Sequence, residues 1–137
     1  MDIVFSAFDP GQALDSILHW DETEMTAQTP VSPSPYLNLE ALAQTCGLHL
    51  RRRNDFRVQA FLVSVTDLAY PADADWAAWT ITARLRTETA GGAGYEVEIN
   101  GVPGGTVVMG RRDLPRGEVD TFSQERFQWL CTRSSRS

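Results

Sequence analysis

The sequence contains no lysine: its 12 basic side chains are all arginine, set against 18 aspartates and glutamates for a net charge of −6. A chain of that sign repels a phosphate backbone, which argues against a nucleic-acid partner despite the runs Arg51-Arg52-Arg53 and Arg111-Arg112. Those runs read first as a solvated helix end and a loop, and second as places where a locally acidic partner would dock. Cysteine is scarce. Cys46 and Cys131 form neither a CxxC motif nor a disulfide framework, so reduced thiols and a cytoplasmic location are expected. The two histidines, His19 and His49, do not combine with them at zinc spacing, and no metal is expected. No stretch reaches about eighteen consecutive apolar residues, and the opening MDIVFSAFDPG lacks a basic leader region. A membrane span and a signal peptide are therefore both unexpected.

What is present is enough for a core. With 137 residues, 42% of them hydrophobic and four tryptophans, the chain can remove roughly two-thirds of its unfolded surface from water as one domain. From Leu14 to Val31 the pattern predicts two strands about a turn at Asp21-Glu22. In the second, Met25, Ala27, Thr29 and Val31 alternate with polar neighbours at the period of a half-buried strand. Pro33 and Pro35 then stop any strand, and a helix can begin at once because proline is tolerated at the first helical position. Over about residues 36–52 the helix YLNLEALAQTCGLHLRR carries Leu39, Leu42, Cys46 and Leu50 on one stripe and Leu37, Ala41 and Leu48 on other sides. It should be central, with its arginines at the negative end of the helix dipole.

The remainder reads as β-structure. VQAFLVSVTDLAY, residues 58–70, is apolar on both faces, as expected of a central strand covered on both sides. In WAAWTITARLRTE, Trp79, Ile81, Ala83 and Leu85 face one way and Thr80, Thr82, Arg84 and Arg86 the other. After a Gly91-Gly92 turn, Tyr95, Val97 and Ile99 lead to Asn100-Gly101, a strong hairpin signal, and TVVM at 106–109 returns as the partner strand. Asp120 or Thr121 can cap a short helix through FSQERFQWL, leaving CTRSSRS as a loose tail. The expected organisation is one domain over residues 1–118, then helix and tail over 119–137. A single helix with so much apolar circumference needs a sheet that curls around it, so the fold class is α+β, antiparallel sheet around one long helix.

The segment LNLEALAQTCGLHL resembles the central helix of the hotdog-fold β-hydroxyacyl-acyl-carrier-protein dehydratases, in which an apolar run leads into Glu-Ala-x-Ala-Gln. Here that motif is Glu40-Ala41-Leu42-Ala43-Gln44, and the order of elements is similar over residues 12–110. The resemblance implies a hotdog dimer, either a homodimer or a heterodimer with a related hotdog protein, with each active site at the interface. It further implies a 3-hydroxyacyl thioester on the phosphopantetheine of an acyl carrier protein, of the kind used in fatty-acid, polyketide or polyene synthesis, and no cofactor of the protein's own. Glu40 would be the catalytic carboxyl that handles the departing hydroxyl. Gln44 and Tyr36 would contact the substrate arm, and Arg51, Arg52 and Arg53 would dock the acidic carrier protein.

One departure matters. In that family a His-Phe-Pro-Gly loop precedes the helix and supplies the base, whereas residues 26–35 here contain neither His nor Gly. Three readings follow: a Glu-donating subunit of a heteromeric dehydratase, a hotdog thioesterase in which Glu40 activates water, or a non-catalytic acyl-carrier binding subunit. Cys46 and His49, three residues apart on the helix, are also a candidate thiol-imidazole pair. No further residue completes a triad, and a core thiol beside a helix-end histidine is the expected arrangement.

Overall fold

The computed structural model describes residues 13–30, 35–69 and 78–134, with the side chains of 35–38 and 134 left outside the description. Strands β1 (Ser16–Trp20) and β2 (Glu24–Gln28) form the expected antiparallel pair. Their turn is held by Asp21, whose Oδ1 accepts the backbone N–H groups of Thr23 at 2.8 Å and Glu24 at 3.0 Å. An aspartate at the first turn position offers the chain this local alternative to a ladder. Helix α1 (Pro35–Arg53) follows, then β3 (Val58–Thr66), β4 (Thr80–Thr89), β5 (Gly92–Ile99), β6 (Val102–Asp113) and α2 (Thr121–Ser134).

The strands make one sheet in the order β1-β2-β4-β5-β6-β3, antiparallel throughout. Helix α1 packs against β2, β3, β4, β5 and β6. On a flat sheet, five strands spaced about 4.8 Å apart would span roughly 19 Å, about twice the diameter of a helix. Contact with all five requires the sheet to curl around α1. Consistently, every residue from Thr45 to Leu50 is buried, whichever way it points. The helix ends where Asp55 (φ 56°) and Phe56 (φ 58°) enter the left-handed region. That conformation costs of order 1 kcal/mol for a residue with a Cβ, and burying the Phe56 ring in the core offsets it.

Met25 and Ala27, Trp79, Ile81 and Ala83, and Tyr95, Val97 and Ile99 form the inner layer, as their alternation predicts. The outer face of β4 is polar, with Arg84 paired to Glu98 and to Glu24, and Arg86 to Glu96. Asn100 (φ 54°) and Gly101 (φ 81°) form the tight turn between β5 and β6; both central positions require positive φ, which Asn and Gly tolerate.

Two expectations change. Among the described residues strand β3 is an edge strand paired only with β6, not a central one, and it stops at Thr66. Its Phe61, Leu62 and Val63 are 52%, 39% and 59% exposed. A run apolar on both faces specifies that both faces favour cover; it does not specify that the cover comes from this chain. The C-terminal helix also runs to Ser134, so Cys131–Ser134 are helical rather than tail. Asp120 caps it, accepting from Ser123 N at 3.0 Å and Ser123 Oγ at 2.7 Å, and Phe127 and Leu130 bury its inner face.

Candidate functional site

A cleft of about 370 Å³ opens between α1 from Glu40 to Arg51, strands β3 and β6, and the start of α2. Glu40 and Gln44 enter it from α1, Ala60 and Leu62 from β3, Met109 from β6 and Phe122 from α2. The walls are thus mainly apolar, and the polar groups come from α1 (Glu40, Gln44, Arg51) and from α2 (Ser123, Arg126). Glu40 and Gln44 are one turn apart and half-buried, and Gln44 Nε2 donates to Glu40 Oε1 at 3.1 Å. That bond restricts the carboxyl to a subset of its rotamers and leaves its second oxygen to the cleft. A carboxyl so placed can take or give one proton, or orient a water molecule.

Gly47 shapes the floor. A Cβ there would lie 3.0 Å from an Arg51 Nη atom and 3.4 Å from Met109 Cε. Without it, Arg51 folds back along the helix and donates from Nη2 to the Ala60 carbonyl at 2.9 Å, with Nε 3.5 Å from Asp120. Arg51 therefore ties α1 to β3 and to the cap of α2.

The other two arginines of the run go elsewhere. Arg52 stacks over the Trp20 ring at 4.2 Å, and Arg53 donates to Glu88 at 2.6 Å and to the Glu22 carbonyl at 2.8 Å. Successive residues on a helix point about 100° apart, so the three guanidinium groups are not brought into one patch. Tyr36 is the second residue of α1, and its side chain lies outside the described residues.

Among the described residues, no histidine lines the cleft. His19 is exposed at the β1–β2 turn, with Nε2 3.1 Å from Asp21 Oδ2. His49 is buried between Tyr95 Oη at 2.7 Å from Nδ1 and the Asp21 carbonyl at 2.9 Å from Nε2. A carbonyl only accepts, so Nε2 carries the proton and Nδ1 accepts from the Tyr95 hydroxyl. Burial pushes the His49 pKa below the usual histidine range, outweighing the bond to Asp21. Both of its nitrogens are engaged, and burial drives the Cys46 thiol pKa far upward, which removes the thiol-imidazole pair as a nucleophile. No group of three His, Cys, Asp or Glu side chains among the described residues is placed to hold a metal. None of the described helices is long and apolar enough to cross a membrane.

The sequence reading did not anticipate that α2 contributes to this cleft through Phe122, Ser123 and Arg126. The available signal was the Asp120 cap ahead of an amphipathic helix; what it lacked was the direction in which that helix crosses the molecule.

No protein-family model matches the chain, and no curated protein matches it. Solved structures do. AziG of S. sahachiroi is 18% identical, covering 72% of this chain and 91% of its own, with a TM-score of 0.57. A thioesterase of Pseudomonas aeruginosa is 13% identical over 72% of this chain and 81% of its own, also at 0.57. The dehydratase heterocomplex ApeI:P from Xenorhabdus doucetiae is 15% identical over 81% of this chain and 88% of that chain, at 0.53. At these identities the likeness speaks to architecture: a six-stranded antiparallel sheet curled around one long helix, the α+β hotdog fold.

Proposed function

We propose that this chain is an acyl-thioester-handling hotdog subunit that donates Glu40 to a 3-hydroxyacyl-carrier-protein dehydratase site completed by a second hotdog chain. The observation that carries the reading is the position of Glu40. It lines a cleft walled by edge strand β3, whose exposed Phe61, Leu62 and Val63 favour cover by another chain, and no histidine of the described residues reaches that cleft. An uncovered apolar edge strand is a template for pairing. A structural neighbour described as a dehydratase heterocomplex is consistent with such an assembly.

Dehydration needs two proton transfers. A base removes the proton α to the thioester carbonyl, the Cα–H electrons form the double bond, the Cβ–O bond breaks, and an acid protonates the leaving hydroxyl to give water. Glu40 is assigned the second step, and an imidazole from the partner chain the first. For that step the Glu40 carboxyl is the proton donor. Gln44 positions it.

A second reading has its own support. A single carboxylate held by Gln44 suffices to orient water for thioester hydrolysis, which needs no imidazole, and several structural neighbours are thioesterases. Incubating 3-hydroxyacyl carrier protein with the lone chain, and with a hotdog protein encoded beside it, separates the two. Enoyl product only in the mixture, lost in Glu40→Gln, supports the heteromeric dehydratase. Enoyl product from the lone chain overturns the need for a partner, and hydrolysis without dehydration moves the assignment to thioesterase.

A further inference from the structure

The arginines of α1 and β4 all pair with carboxylates of this chain, as do Arg111 with Asp113 and Arg133 with Asp15. Arg57, Arg112 and Arg116 do not: all three are exposed, and their side chains have no hydrogen-bond, ion-pair or ring partner among the described residues. They also lie together. Arg57 immediately precedes β3, and its carbonyl accepts the Leu114 N–H at 2.9 Å. Arg112 stands opposite Gln59 in the β3–β6 ladder. Arg116 occupies the turn after β6, closed by the Glu118 N–H on the Pro115 carbonyl at 2.9 Å. Arg57 and Arg116 line a shared cleft of about 290 Å³ with Asn54, Arg111, Asp113 and Glu118.

In a chain of net charge −6, carboxylates are plentiful, yet the cleft at this end of the β3–β6 pair is lined by three arginines, Arg57, Arg111 and Arg116, against two acids, and Arg112 lies beside it in the ladder. One of the acids, Asp113, is already engaged by Arg111 at 3.0 Å. Neighbouring guanidinium groups repel, and none of these three has a carboxylate of the described residues within ion-pair distance. Such a patch on an otherwise acidic protein selects and orients an acidic partner while the remaining surface repels it. Its place is suited to the Glu40 cleft: Arg57 and Ala60 are three residues apart, about 10 Å along the strand.

We propose that Arg57, Arg112 and Arg116 form the docking surface for an acidic protein, which on the proposed function, and resting on it, is the acyl carrier protein that delivers the thioester to the Glu40 cleft. The α1 arginines, expected from sequence to dock the carrier, are instead engaged within the chain.

The test measures binding of a fluorescently labelled acidic acyl carrier protein to the full chain at about 50 mM and about 500 mM salt. The triple variant Arg57→Glu, Arg112→Glu, Arg116→Glu should bind at least about tenfold more weakly at the lower salt, with the difference falling below about threefold at the higher. The corresponding triple lysine variant, which keeps the charge, should bind like the parent. Matching circular dichroism and melting temperature of all variants confirm the fold. Undiminished binding by the triple glutamate variant, with weakening by Arg52→Glu instead, overturns this surface and leaves the proposed function standing. No binding by the parent chain at either salt overturns carrier recognition itself.

Discussion

Gln44 donates a 3.1 Å hydrogen bond to Glu40 across one turn of the central helix, and the pair faces a cleft bounded by an edge strand. Glu40→Gln removes the titrating group and keeps its shape. In the active assembly it should lower kcat by at least about 100-fold with little change in melting temperature, because a positioned acid contributes 10²–10⁴-fold. Gln44→Ala should cost less, roughly 5- to 20-fold in kcat, because it loosens the carboxyl without removing it. Equal losses from the two would argue that Gln44 touches the reacting atoms itself.

His49 ties folding to pH. It is buried neutral, its pKa held below the ordinary value near 6.5, so below that pH the unfolded chain binds a proton that the folded chain resists. Stability contributed by this group is present above about pH 6.5 and falls as pH drops below it. Urea titrations at several pH values from about 8 to 5 should show the midpoint declining, and the His49→Gln variant should show a shallower decline.

Tyr95 satisfies His49 Nδ1 at 2.7 Å. Tyr95→Phe leaves that buried acceptor without its donor and should destabilise by about 1–3 kcal/mol. A neutral result in calorimetry would show that the ring reorients to another partner.

Asp120 both caps α2 and lies 3.5 Å from Arg51. Asp120→Ala should cost about 1–2 kcal/mol, and Asp120→Asn less, since asparagine still caps. Because α2 lends Phe122 and Arg126 to the cleft, Asp120→Ala should also raise KM; an unchanged KM would place α2 outside substrate binding.

The β3 edge makes the assembly testable. Replacing Phe61 and Val63 together by lysine puts charge where apolar cover is expected and should shift the protein to monomer in light scattering, alone or with its hotdog partner. Monomer mass for the unaltered chain and for its mixture with the partner would sink the interface.

Much of the fold was legible because the determinants are local. The alternation of Met25 with Ala27, of Ile81 with Ala83 and of Tyr95 with Val97 fixes which face of each strand is inward, and Asn100-Gly101 fixes a turn by its φ angles. Strand β3 was misplaced because its apolar run states a preference for cover on both faces, and the provider of that cover is a property of sheet order. The arginine run at 51–53 shows the same limit. Its sequence reads as one basic cluster, but helical geometry sends its members to Ala60 and Asp120, to Trp20 and to Glu88.

The sequence by itself determined a lysine-free acidic chain, a central helix buried on nearly every side, and a carboxylate one turn from a glutamine on that helix. Those follow from composition and from the 3.6-residue period. Only the tertiary structure decided that Glu40 lines a cleft while His49 is locked against Tyr95. It also decided that β3 lies at the edge, and that Arg57, Arg112 and Arg116 come together unneutralised. Each of those depends on which segments the curled sheet brings side by side, and that pairing is set by long-range packing rather than by any local pattern.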